Sequence, residues 1–337
     1  MYDKALHRTY TCNPSLLLFT KGGLEDLSTE HGIDKDFASY LSTIKGVDVF
    51  DLFASANRAR IAFRGNKVDL CSIINAKSGA CPEDCSFCAQ SLNSKAGINV
   101  YPLLPREKIL EAATSARENG VKRFCIVCSG KKVMGKELAK ISEIISEIKA
   151  LDLLPCATLG MLSYDELKEL KDAGLHRYHH NLETSEAFFK EICTTHTYIE
   201  KIKTIESAKS LGLSVCSGGI FGLGESWEDR IEMAFALKEL QTDSVPINFL
   251  TPIRGTPMED KGLLSPLEAL KIIAIYRLIL SDTEIRICGG RPTTLRELNS
   301  YIFFAGADSL LLGNYLTTSG RNPEDDLQMI KDLGLEL

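Results

Sequence analysis

Three cysteines fall inside eight positions of the stretch SGACPEDCSFCAQS, residues 78–91: Cys81, Cys85 and Cys88, spaced C-x3-C-x2-C. Thiolates this close together are metal ligands before they are anything else. A structural zinc site closes with four ligands, usually in two pairs. Within thirty residues of the trio there is no His and no further Cys except Cys71, which falls in a predicted strand. An iron-sulfur cube also takes four thiolates. With three, one iron keeps an open position, and an open position turns a storage site into a reactive one. The intervening Pro82, Glu83, Asp84 and Ser86 make a polar loop, which argues against three inert, buried thiols.

A second set of cysteines is scattered. Cys125 in RFCIV, Cys156 in LPCAT and Cys216 in SVCSG each sit inside a β-branched run. Each alone reads as a small buried hydrophobe; three in the middle of strands could converge on the lumen of a barrel. Polar residues end other runs. Asn181 and Glu183 lie in YHHNLETS and Asn248 in VPINFL, where an amide can give and take hydrogen bonds and a carboxylate can accept a pair from a diol, or where Asn simply makes a turn. His179 and His180 point to opposite sides of a strand, so at most one faces a lumen. The run SGGIFGLGES, 217–226, has glycines in the order G-x-x-G-x-G, which disfavours a dinucleotide site and leaves either a close backbone approach to a ligand or a tight loop before a helix capped by Ser226.

These residues need elements to hold them. From residue 65 the chain alternates β-branched runs with amphipathic stretches. Eight strands are predicted at 68–74, 122–128, 153–159, 176–182, 213–220, 243–250, 284–290 and 308–313, with helices among them at 106–120, 163–174, 226–240 and 265–280. Eight βα units in about 270 residues match a (β/α)8 TIM-type barrel, with a doubly wound open sheet as the runner-up. In a barrel the chemistry sits at the C-terminal strand ends, where the Cys81–Cys88 loop follows the first strand. Residues 1–64 form an N-terminal extension, partly helical over 47–63, and 65–337 form the barrel.

Composition narrows the partners. A net charge of -6 and a pI near 5.7, with no block of Lys and Arg, exclude a nucleic-acid footprint. The N-terminal apolar run, Leu16–Phe19, is far shorter than a signal segment, and no later run approaches a membrane span. The expected compartment is the cytoplasm, where eleven cysteines point to metal or redox chemistry in preference to disulfides.

The C-x3-C-x2-C motif with Phe87 between its last two cysteines resembles that of the radical S-adenosylmethionine enzymes, and the run GNKVDLCSIINAKSGACPEDCSFCAQS, 65–91, is similar to the biotin synthase family in particular. The resemblance runs in order over 65–337. It implies a [4Fe-4S] cluster on Cys81, Cys85 and Cys88, whose open iron binds S-adenosylmethionine, the source of 5'-deoxyadenosyl radicals. It implies an auxiliary [2Fe-2S] cluster on Cys125, Cys156, Cys216 and Arg286, the donor of the sulfur inserted between C6 and C9 of dethiobiotin. An arginine ligand is chemically unusual. Cys288, two residues past Arg286 and on the same strand face, is an alternative that implies a different nuclearity, and Cys128 is a further one. The resemblance places S-adenosylmethionine at Phe87, Glu183, Gly219 and Gly222, and the cyclic urea of dethiobiotin at Asn181 and Asn248. It also implies a flavodoxin or ferredoxin-type reductant and a homodimer. The competing class is a non-catalytic iron-sulfur carrier or sensor, which gains nothing from a missing fourth thiolate. Lipoyl synthase keeps its extra cysteines in one N-terminal cluster, whereas here Cys12 stands alone.

Overall fold

The computed structural model describes residues 32–337; Cys12 and the apolar run at Leu16–Phe19 lie outside them. Nine parallel strands, β1 (Asp69–Lys77), β2 (Arg123–Cys128), β3 (Leu154–Thr158), β4 (Arg177–His179), β5 (Ser214–Cys216), β6 (Gly219–Phe221), β7 (Ser244–Phe249), β8 (Glu284–Ile287) and β9 (Ser309–Leu311), follow one another around a closed ring. β5 and β6 are two halves of one stave, interrupted at Ser217–Gly218, and each half pairs with β7. Eight staves therefore close a (β/α)8 barrel, as the strand count predicts. The ring is sealed where β9 lies beside β1, with Asp69 opposite Ser309 and Cys71 opposite Leu311.

The helices α3 (Arg106–Glu118), α4 (Lys136–Ala150), α5 (Tyr164–Asp172), α6 (Tyr198–Ser210), α7 (Trp227–Glu239) and α8 (Pro266–Ile279) return the chain between staves. Their starts are set by side chains that satisfy otherwise unpaired amides. Ser163 with Glu166, Thr197 with Glu200 and Ser226 with Asp229 form reciprocal capping boxes, and Ser265 caps α8 ahead of Pro266. Period two in each strand sends one set of residues outward. Ile126, Ile247, Ile285 and Leu310 are fully buried against helix residues such as Ile145, Leu237 and Ile273.

Ahead of the barrel come α1 (Lys35–Ser42) and α2 (Asp48–Arg64). α2 matches the predicted 47–63 helix, and it flanks the barrel by covering the outer side of α8. That covering explains why α8, whose residues from Ala269 to Ile279 are all buried, is apolar nearly all round.

Candidate active site

The loop after β1 is ordered by its own backbone. Cys81 N–H donates to Gln90 O at 3.1 Å, Leu92 N–H to Cys81 O at 2.8 Å, and Cys88 N–H to Cys85 O at 2.9 Å. Gly79 has φ +72, and a Cβ there would meet Val100 Cγ2 at 2.6 Å, so this turn demands glycine. Cys81, Cys85 and Cys88 emerge half-buried on one wall of a cavity of about 420 Å³ at the C-terminal end of the barrel. Burial raises the Cys81 thiol and pushes Cys88 up to about 11. A second loop braces the first: Asp84 Oδ1 accepts from the amides of Thr194 and Thr195 at 2.9 and 3.2 Å, and Ser86 N–H donates to Ile192 O at 2.9 Å.

The opposite wall is the lumen, built in two layers. The register sets Cys125 beside Cys156 and His179 beside Cys216. Cys71, Cys125, Cys156 and Cys288 pack with Val127 and Leu311 into an apolar cluster separate from the main core. Burial is the main cause that lifts the thiols of Cys125 and Cys288 well above their usual range, Cys71 to about 11 and Cys156 to about 12. Cys216 differs. Burial raises its thiol too, but His179, Arg286 and Arg177 outweigh it and bring the group down to about 7.

Beneath the thiols lies a layer of paired charges. Arg177 Nη1 donates to both oxygens of Glu284 at 3.1 and 3.2 Å, and Ser244 Oγ donates to Glu284 at 2.8 Å. Arg286 Nε donates to Ser309 Oγ at 2.8 Å, and Arg286 Nη2 donates to Asp69 at 2.8 Å and to Glu284. Burial opposes the charge on Arg286, but Glu284 holds the guanidinium protonated. Its Nε and Nη2 are thus spent as donors.

Asn181, Glu183, Asn248 and Phe87 ring the cavity; so do both His179 and His180, against the expectation of at most one, because β4 ends at His179 and the period-two alternation stops there. Both asparagines also hold the barrel rim. Asn181 Oδ1 accepts from Gly218 N–H at 3.2 Å, while Asn248 Oδ1 accepts from Gly289 N–H at 3.0 Å and its Nδ2 donates to Gly219 O at 3.1 Å. Glu183 keeps a left-handed backbone, φ 76, uncommon for a residue with a side chain and typical of functional rims. Gly219 and Gly222 have structural duties: a Cβ on Gly219 would meet Glu183 O at 2.4 Å, and Gly222 has φ +96. Cys128 joins the main core with Lys77 and Glu137 as charged neighbours.

The donor set fits iron-sulfur clusters. Thiols occupy both walls, and His180 Nε2 is buried on the cavity without a hydrogen-bond partner among the described residues, a polar atom left for a ligand. Two thiols escaped the reading of the sequence. Cys71 looked like an ordinary strand residue, although its period-two phase with Ile73 points it inward. Cys193 sits in a loop, and its only local signal is the C-x2-H spacing to His196.

Two family models match: the radical SAM superfamily over residues 76–237 and the biotin and thiamin synthesis associated domain over 246–336. Biotin synthase of Thermodesulfovibrio yellowstonii is 53% identical over 308 residues, 90% of this chain and 97% of that one. The chain belongs to the biotin synthase family. Biotin synthase of Geobacter sulfurreducens agrees, at 50% identity over 90% of this chain and 93% of its own. The chain is accordingly a radical S-adenosylmethionine enzyme, a sulfurtransferase of the biotin synthase type. Solved structures confirm the fold alone. Methylornithine synthase superposes with a TM-score of 0.81 at 19% identity, covering 93% of this chain and 96% of its own, and the hydrogenase maturase HydG with 0.80 at 16%, covering 96% and 75%. Among the described residues of this biotin synthase family member, no helix is long and apolar enough to cross a membrane.

Proposed function

We propose that the chain inserts sulfur between C6 and C9 of dethiobiotin to form biotin, consuming two S-adenosylmethionines. One observation carries the detail: a three-thiol loop and a group of lumen thiols face the same cavity. Cys81, Cys85 and Cys88 hold the [4Fe-4S] cluster in this reading, and S-adenosylmethionine completes its open position. When bound, these groups supply one-electron chemistry able to break unactivated C–H bonds, and the auxiliary cluster supplies the sulfur.

The chain's own work is placement. Glu183 presents two oxygens to the ribose diol and Phe87 packs on the cofactor, while Gly219 and Gly222, which do not line the cavity, shape the turn that carries Ile220 to it. Asn181 and Asn248 bind the urea of dethiobiotin through the hydrogen-bonding capacity that the rim does not use. The apolar cavity wall excludes water from the reacting carbons.

Cys125, Cys156 and Cys216 hold the auxiliary cluster. Arg286 takes the fourth place on a two-iron cluster in this reading: Ser309, Asp69 and Glu284 hold its Nε and Nη2, while its Nη1 makes no hydrogen bond to the described residues; Cys288, on a cluster of different nuclearity, is the rival arrangement, with Cys128 behind it. The family resemblance supports a flavodoxin or ferredoxin-type reductant, a homodimer and a cytoplasmic setting. The test is anaerobic incubation of the reconstituted protein with dithionite, S-adenosylmethionine and dethiobiotin, followed by mass spectrometry. Biotin and 5'-deoxyadenosine are expected, and their absence from protein loaded with both clusters refutes the reading.

A further inference from the structure

The segment after β4 carries chemistry that sulfur insertion does not use. Cys193 is 4% exposed and His196 7%. Cys85 donates to Cys193 Sγ at 3.8 Å, and Cys193 Sγ lies 3.2 Å from His196 Nδ1 and 3.7 Å from its Nε2. One donor atom each from Cys85, Cys193 and His196 fall within 4.8 Å of one another. Behind the imidazole, buried Glu83 Oε2 sits 2.5 Å from His196 Nδ1, and Thr195 Oγ1 donates to the same oxygen at 2.7 Å. A carboxylate at Nδ1 fixes the tautomer and leaves the Nε2 lone pair free, the arrangement that orients histidine ligands in protein metal sites.

The spacing has a physical meaning. Thiolates of an iron-sulfur cube bind different irons and stand well apart. Two thiolates on one tetrahedral ion, each about 2.3 Å from it, are separated by about 3.8 Å, and a thiolate and an imidazole nitrogen by about 3.6 Å. The observed separations are 3.8 Å between the sulfurs and 3.7 Å from Cys193 Sγ to His196 Nε2; Sγ also lies 3.2 Å from Nδ1, off the Nε2 lone-pair direction, so the imidazole or the Cys193 side chain turns when the ion binds. Asp84 Oδ1, 3.2 Å from Cys193 Sγ, is occupied by the amides of Thr194 and Thr195, which leaves the fourth position to water.

We propose that Cys85, Cys193 and His196 bind a single divalent transition-metal ion in the cluster-free chain, and that this ion and the four-iron cluster exclude each other because both require Cys85. The exclusion, though not the site, rests on the assignment of Cys85 to the cluster. Iron(II) and zinc(II) share the chemistry the site selects. Iron makes it a station on the way to the cluster, whereas zinc makes it a block.

The probe is cobalt(II), titrated anaerobically with reductant into the full chain carrying Cys81→Ala and Cys88→Ala, so that Cys85 is the one motif thiol left. A thiolate-to-cobalt charge-transfer band is expected that disappears when Cys193→Ala is added; the lumen thiols contribute equally to both titrations and cancel. Glu83→Gln, which keeps the fold of the loop, should weaken the site roughly 10- to 100-fold. In the unsubstituted chain the same band, displaced one-for-one by zinc(II), should vanish once the four-iron cluster is assembled. Zinc-loaded chain should take up iron and sulfide at least tenfold more slowly than metal-free chain, while iron-loaded chain should not be slowed. A titration unchanged by both Cys193→Ala and Glu83→Gln overturns the site. A band that persists beside an assembled cluster overturns the exclusion. Failure of the cluster reading itself looks different: no four-iron centre forms, with cobalt binding intact.

Discussion

Glu284→Gln tests whether the charge layer is the foundation of the thiol layer. The glutamate is 3% exposed and neutralises Arg177, which has no other carboxylate partner among the described residues, while also bonding Arg286 and Ser244. A glutamine keeps the shape but leaves two buried guanidinium groups short of one negative charge and turns an NH2 toward their donors. Removing one partner of a buried pair costs about 3–5 kcal/mol. Arg286 keeps Asp69, so the middle of that range and not its top, about 4 kcal/mol, is expected. With an unfolding entropy of about 2.1 cal/mol/K per residue over roughly 300 residues, that corresponds to a Tm lower by about 6 °C. Burial works to raise the Glu284 carboxyl, but Arg286 and Arg177 prevail and hold it below its ordinary 4.5. The folded state therefore binds this proton less readily than the unfolded chain. The stabilisation is complete above about pH 4.5 and drains away as the pH falls through the depressed folded value. Circular dichroism melts of cluster-free parent and variant from pH 7 to pH 3 should show a gap near 6 °C that narrows below pH 4.5. A gap under 1 °C at pH 7, or one constant with pH, refutes the argument.

Replacing any one of Cys81, Cys85 or Cys88 by Ala should abolish 5'-deoxyadenosine formation, measured by chromatography; full cleavage in two such variants sinks the radical reading. Asn248→Ala should raise the dethiobiotin concentration needed for half-maximal rate about tenfold or more, the equivalent of roughly 1.5 kcal/mol for a lost hydrogen bond, with the iron content of both clusters unchanged. An unmoved concentration dependence after Asn181→Ala and Asn248→Ala misplaces the urea ring. With the first cluster deleted through Cys81, Cys85 and Cys88, Mössbauer spectra should show a two-iron auxiliary centre that survives Cys288→Ser unchanged; a four-iron signal, or loss of the centre on that substitution, overturns Arg286 as the ligand.

What was legible in the sequence was what is local or periodic. The eight staves announced themselves as β-branched runs, and the motif trio fits within one loop, so both could be read without knowing which strands are neighbours. The halved fifth stave could not, because its break reflects the carbonyl of Pro246 lying 2.1 Å from where a Cβ on Gly218 would stand, a contact between residues far apart in sequence. Cys71 and Cys193 were missed for the same reason. One becomes a lumen thiol only when β9 and β2 flank it, and the other meets Cys85 only when two loops pack. Arg286 was named through the resemblance alone, and its neighbours Arg177 and Glu284 went unread. Pairing them requires the register.

The seam between β9 and β1 imposes an order of construction. The motif thiols are gathered by fourteen consecutive residues, 78–91, whereas the lumen thiols are drawn from strands spread between Cys71 and Cys288, and their wall is complete only when Leu311 lies beside Cys71. On the ribosome, the first set exists while most of the barrel is still unmade; the second is born with ring closure. A nascent chain can therefore meet iron at the first set before the last stave emerges, but any machinery that fills the lumen must wait for the finished barrel and enter through its open mouth.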